Sequence, residues 1–273
     1  MAESEPELPA WSLERDVARS ERLAAVWPLE NPRDWAWAGS GGAGVDVCII
    51  DSGVDPSHPR VGTVASSFGV ADAAGELQVA VDRAGDLFGH GTACAGIIRS
   101  LAPECNVHSL RVLGGELTGN GDVLARGLRW AIEERFDLIN LSLSTTKHQI
   151  AAQLRELADL AYFRNVSIVA SAHNMPVESY PWRFSSVLSV GSHDGDDPYE
   201  YYVNPSPPVE FVAPGVDLEL AWSEGTTIVA TGNSFAAPHI TGIAALILAK
   251  HPDLRPYELK AVLRAASSNE LRI

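Results

Sequence analysis

Gly232-Asn233-Ser234-Phe235-Ala236-Ala237-Pro238-His239 leads without a break into the apolar run Ile240-Thr241-Gly242-Ile243-Ala244-Ala245-Leu246-Ile247-Leu248, so a serine hydroxyl stands at the head of a long helical pattern. A helix N-terminus carries unpaired N–H groups and the positive end of the macrodipole. An anion forming on a carbonyl attacked at Ser234 would be stabilised there. Serine alone is inert. It needs a base to take its proton and a carboxylate to hold that base in the correct tautomer.

Both partners lie upstream. Val45-Asp46-Val47-Cys48-Ile49-Ile50 is a short apolar run ending in Asp51-Ser52-Gly53, which reads as a buried strand with a carboxylate at its carboxyl end. Gly89-His90-Gly91-Thr92 opens the helix-like stretch over 93–98, and the glycines flanking His90 let the backbone turn tightly and leave the ring accessible. The three candidates therefore occur in the order Asp51, His90, Ser234.

From Val45 onward strand-like and helix-like segments alternate. Strands are predicted over 45–50, 107–113, 138–144, 166–170 and 187–190, and helices over 90–101, 122–135, 149–163, 234–250 and 256–266. Near-continuous apolar strands in such an alternation predict an α/β fold with a mainly parallel central sheet covered by helices on both faces. Ligands in sheets of this kind bind outside the carboxyl ends of the strands. Asp51 falls at such an end, and so does Asn174, where the run Val169-Ala170-Ser171-Ala172-His173-Asn174 passes from a buried strand into a polar turn.

The chain order separates the known serine-hydrolase arrangements, because chymotrypsin-type enzymes run His, Asp, Ser and α/β-hydrolases run Ser, Asp, His. Asp51-Ser52-Gly53, His90-Gly91-Thr92 with Ala95-Gly96, and Ser234 with Ala236 and Pro238-His239 together resemble the subtilisin-like serine proteases, from about Val45 to about Ala266. The resemblance implies a three-layer subtilisin-like fold and a serine endopeptidase in which Asp51, His90 and Ser234 form the triad. It also implies that Asn174 and the Ser234 backbone N–H bind the oxyanion. Asn140-Leu141-Ser142-Leu143-Ser144 resembles the family segment that pairs with the substrate backbone, with Thr118 and Gly119 at the opposite rim and Ala172 and His173 beside the primary pocket. An extended peptide added as a strand gains ladder hydrogen bonds whatever its side chains.

Departures from the family pattern carry further expectations. His173 stands where relatives usually have glycine, and Ser144-Thr145 replaces a usual Gly-Gly, so the pocket is expected to be narrowed and the substrate range restricted, with a small or polar residue before the cleaved bond. Asn233 replaces a threonine that assists the oxyanion; its amide either serves similarly or activity is reduced. Phe235 replaces an oxidation-prone methionine and reads as a packing residue. After the His90 helix the chain passes almost directly to the strand at Val107, so the asparagine-rich calcium loop of many relatives is expected to be missing. Asp194-Gly195-Asp196-Asp197 with Glu200 reads as a solvated loop, and the eight histidines show no zinc-type pairing. No metal and no cofactor are expected.

At 273 residues the chain suits one large core. Two parts are expected: an N-terminal extension over 1–40, either a packed arm or a short inhibitory segment, and a catalytic domain over 41–273. The extension holds four of the seven tryptophans and a charged helix-like piece over 13–26, and the glycine-rich stretch 39–44 acts as a joint. That stretch is no nucleotide loop, because a strand follows it where a helix is required. Hydrophobic content of 46% without a bilayer-length run excludes a membrane protein, and a net charge of −15 excludes nucleic acid as a partner. The expected partner is a peptide or protein substrate. The acidic start Met1-Ala2-Glu3-Ser4-Glu5-Pro6-Glu7 and an odd cysteine count of three predict a cytoplasmic protein. The function expected is restricted endoproteolysis in precursor or regulatory processing, preferred over general degradation, with a catalytically weak or inactive subtilisin-like peptide-binding scaffold as the alternative.

Overall fold

Strand β1 (Asp46–Asp51) shows why the middle of the molecule is a sheet buried on both faces. Val47 and Ile49 point into one apolar cluster and Cys48 and Ile50 into another, so every residue after Asp46 is buried. The computed structural model describes residues 31–117, 119–204 and 208–269. The helix expected over 13–26, the rest of the extension before Asn31, and Thr118 lie outside the described residues.

Strands β2 (Ser66–Ala73), β3 (Glu76–Val81), β4 (Asn106–Arg111), β5 (Leu138–Leu141), β6 (Ser167–Ser171), β7 (Leu188–His193), β8 (Tyr202–Val203) and β9 (Phe211–Pro214) join β1 in one nine-stranded sheet of order β3-β2-β4-β1-β5-β6-β7-β9-β8. Every pairing from β2 across to β9 is parallel, and both edges close with an antiparallel strand. The chain runs outward from β1 in two directions, to β4 on one side and β5 on the other. That reversal opens a crevice at the carboxyl end of β1. A separate hairpin joins β10 (Leu218–Ala221) and β11 (Thr227–Ala230).

Helices α1 (Pro32–Trp37), α2 (His90–Leu101), α3 (Gly121–Glu133), α4 (Ala151–Phe163), α5 (Asn233–Lys250) and α6 (Pro256–Ala265) complete the fold. The residues of α2, α5 and α6 share one apolar cluster with one face of the sheet, and those of α3 and α4 share the other. The result is three layers, as expected. Helix α5 is apolar all round, because it runs between the sheet and α2 with all of Phe235 to Leu248 buried.

The β2–β3 and β10–β11 hairpins were not among the expected strands, since their residues alternate weakly and stay half exposed. Strand β5 ends at Leu141, three residues short of the expected 144. Beyond Leu141 the chain leaves the sheet, and Thr145 bridges to Tyr180 instead.

Candidate active site

Asp51 leaves the end of β1 fully buried, with Oδ1 accepting from the Ser52 N–H at 2.7 Å. Both of its oxygens lie 2.9 Å from His90 Nδ1. His90 is the first residue of α2, and Gly89 before it has φ of +120°. Only glycine suits that position, because a Cβ there would also strike the Trp222 ring at 2.5 Å. With the carboxylate on Nδ1, that nitrogen carries the ring proton and Nε2 is left as the basic atom. Burial alone would lower the pKa of His90. The Asp51 carboxylate, with Cys94 adding to it, offsets that burial and raises the pKa of His90 well above the usual range. Burial pushes the Cys94 thiol itself up, which favours its neutral form.

Ser234 is the second residue of α5, and with His90 it lines a cavity of about 240 Å³. The sequence places Pro238 four residues later, where an ordinary residue would donate its N–H to the Ser234 carbonyl. Proline has no N–H, so that carbonyl is left open. The Ser142 hydroxyl fills the position, donating at 2.7 Å, while Asn140 Nδ2 donates to Ser142 Oγ at 3.0 Å and Asn140 Oδ1 accepts from Thr241 at 2.8 Å. A proline inside the helix thus ties the candidate nucleophile to the chain that follows β5.

Asn174 lines the same cavity. Its Oδ1 accepts from the Asn233 N–H at 2.9 Å, which turns the amide nitrogen away from that bond. A Cβ added to Gly232 would come within 3.3 Å of Ser234 Oγ and 3.4 Å of Asn174 Nδ2, so the two groups border one small space that glycine keeps open. The N–H of Ser234, in the first turn of α5, has no acceptor within the helix. Of the two roles open to Asn233, direct assistance to an oxyanion is not the one its contacts favour. Its Oδ1 accepts from Ser192 N–H at 2.9 Å and Ser192 Oγ at 2.8 Å, and its Nδ2 donates to the His173 carbonyl at 3.3 Å. It fixes the start of α5 to β7 and to the Asn174 turn.

Of the substrate-facing candidates, Ser142, Leu143, Ser144, Ala172 and His173 line the Ser234 cavity, and Gly119 lines the one beside it. Thr118, their expected neighbour, is outside the described residues. Phe235 packs on the His90 ring, with centroids 5.2 Å apart.

Asp86 was absent from the sequence reading, although it holds this corner together. Its Oδ1 accepts from Ser52 Oγ at 2.8 Å, Phe88 N–H at 2.9 Å and Gly89 N–H at 2.7 Å, and its Oδ2 accepts from Thr92 N–H at 2.8 Å and Thr92 Oγ at 2.6 Å. One carboxylate therefore clamps the residue after Asp51 to both sides of His90. The sequence offers an aspartate between glycine and leucine in a loop, which is weak as a signal because its local donors are those of an ordinary turn and Ser52 is brought to it only by folding.

The metal-type donor atoms of Asp51, His90 and Cys94 lie within 4.8 Å of one another. A metal there would displace the proton that orients His90, and the neutral Cys94 thiol is a poor ligand. The arrangement suits proton transfer instead: a buried carboxylate, an oriented imidazole, a hydroxyl in the same cavity, and amide donors beside it.

The subtilase family model matches residues 42–272. Subtilisin DY of Bacillus licheniformis is 30% identical over 243 residues, covering 84% of this chain and 85% of that protein. Subtilisin E of Bacillus subtilis is 30% identical over 226 residues, or 77% of this chain, which spans 57% of that protein's length. A cold-adapted subtilisin-like serine proteinase of known crystal structure superposes with a TM-score of 0.70 at 26% identity, over 85% of this chain and 87% of the other.

Proposed function

Because the chain belongs to the subtilase family it is a serine-type endopeptidase, and we propose that it cleaves a narrow set of peptide bonds in precursor or regulatory processing. His173 carries this reading. It is among the residues that line the cavity of Ser234, and Met175 N–H donates to its Nδ1 at 2.9 Å, which holds the ring in place. A ring fixed on the wall of a cavity of about 240 Å³ favours a small or polar side chain before the cleaved bond over a large aromatic one.

The shared cavity of His90, Asn174 and Ser234 supports the following division of roles. His90 Nε2 removes the Ser234 proton as Oγ attacks the peptide carbonyl, and the imidazolium then protonates the leaving amine. Asp51 orients the ring and stabilises its charged form. Asn174 Nδ2 and the Ser234 N–H receive the oxyanion. The alternative of a scaffold without turnover is not favoured, because Asp51 and His90 keep their bond and share the site with Ser234. The three cysteines, all buried and unbridged, support action in a reducing compartment such as the cytoplasm.

Incubating the protein with a cell proteome and sequencing the new termini tests the reading. A short list of cut sites sharing one narrow residue class before the bond is expected. Broad cutting with tolerance for phenylalanine and tyrosine at that position would show a general degradative enzyme.

A further inference from the structure

The cleft next to Ser234 runs against the charge of the whole chain, which has 35 acidic side chains to 20 basic. A second cavity of about 270 Å³ adjoins the one holding His90 and Ser234, and the two share Leu143, Ser144 and His173. Its floor is apolar, with Val112 and Leu124 only 7% and 6% exposed. Its open rim carries the polar residues Asn120, Ser144, Thr145, Thr146, Lys147 and His173 beside the exposed Leu117. Among the described residues that line it there is no aspartate or glutamate.

The rim is a set of donors. Lys147 has no ion-pair partner among the described residues. His173 Nδ1 accepts from Met175, so Nε2 carries the hydrogen in the neutral ring. Ser144, Thr145 and Thr146, directly before Lys147 in the chain, add three hydroxyls to the lining. Helix α3, capped by Asn120, starts at the same wall and adds the positive end of its dipole. An apolar floor below a ring of donors complements a side chain with a methylene stem and an anionic head. A lysine would meet Lys147, and an aliphatic chain would fill the floor without using the rim.

We propose that this cavity receives a glutamate side chain of the substrate, from a residue on the acyl side of the cleaved bond, with Lys147 and His173 selecting it. The proposal rests on the protease reading and names the substrate class for that same cleft. The stem lies over Val112 and Leu124, and the carboxylate takes donors from Lys147 and the rim hydroxyls.

The test uses full-length protein carrying Ser234→Ala, which binds without turnover, and fluorescein-labelled alanine-based octapeptides with Glu, Gln, Leu or Lys at one position in turn. At one position Glu is expected to bind about five- to tenfold tighter than Gln. Adding Lys147→Glu, an exposed change that spares the fold, should reverse the order of the Glu and Lys peptides and leave the Leu peptide unchanged. Equal binding of Glu and Gln at every position, tighter binding of Leu or Lys, or no binding by any peptide overturns the proposal. Fluorophosphonate labelling of the wild-type protein, run beside it, keeps the two readings apart. Absence of labelling removes the protease reading, whereas labelling without a Glu preference removes only this assignment.

Discussion

At the scale of single residues, the carbonyl of Ser234 shows how a local defect becomes a functional link. Pro238 withholds the N–H that the helix would supply, and Ser142 Oγ replaces it at 2.7 Å, with the Cys94 thiol a distant 3.9 Å away. Ser142→Ala is therefore expected to leave that carbonyl with only the distant thiol and Asn140 Nδ2 without its acceptor, at a cost of about 1–3 kcal/mol of stability. Turnover should fall as Ser234 loosens, with KM less affected. Urea unfolding and initial rates measure both, and unchanged stability would show that the hydroxyl does nothing for the helix. The sequence placed Ser142 on the substrate-binding segment through a resemblance, but the resemblance does not say where a hydroxyl points. Asp86 and Asn233 were hidden for a related reason, since a deciding partner of each, Ser52 for one and Ser192 for the other, lies far off along the chain. Asp51, His90 and Ser234 were legible because each sits in a short motif with its own local signature.

Among the elements, α5 is the one whose chemistry and stability are joined. His239 lies within it, 5% exposed, and donates from Nδ1 to the Phe235 carbonyl at 3.0 Å. Burial lowers its pKa, the Phe235 carbonyl opposes that weakly and the nearby His193 adds to it, which brings the group down to about 4. The unfolded chain titrates near 6.5, so at acid pH the unfolded state takes up a proton that the folded state refuses. Stability from this group is complete above about pH 6.5 and is lost as the pH falls through about 4, a difference of about 3 kcal/mol. Urea unfolding of the wild type and of His239→Gln between pH 7 and pH 4 should show that extra loss in the wild type alone. Parallel curves would mean that His239 is charged inside the fold. The elements were mostly readable: α2 falls on the expected 90–101, and α5 and α6 differ by one residue at an end. The early end of β5 was not readable, because apolar alternation persists through Leu143 after the backbone has left its neighbours.

On the scale of the molecule, the site is assembled from four places far apart in sequence: the carboxyl end of β1, the start of α2, the turn after β6 and the start of α5. What brings them together is the sheet order, which reverses at β1 and places the carboxyl ends of the central strands β1 and β6 on the same side of the sheet. That order was expected only as a class, mainly parallel with helices on both faces, since local periodicity cannot rank strands that all read as buried. Residues 31–38 hold the opposite end of α5. Trp35 stacks on His251 with centroids 4.1 Å apart, and Lys250 Nζ donates to the carbonyls of Asp34 at 2.7 Å and Ala38 at 3.2 Å. At 1.5 Å per residue that grip is about 24 Å from Ser234. The central claim is that one alcohol in this molecule is made nucleophilic by an oriented imidazole. Peptide mapping by mass spectrometry after exposure to a fluorophosphonate tests it most directly. The adduct is predicted on Ser234, with labelling slowed at least about 10³-fold in His90→Ala. An unmodified Ser234, or equal labelling with and without His90, would contradict it.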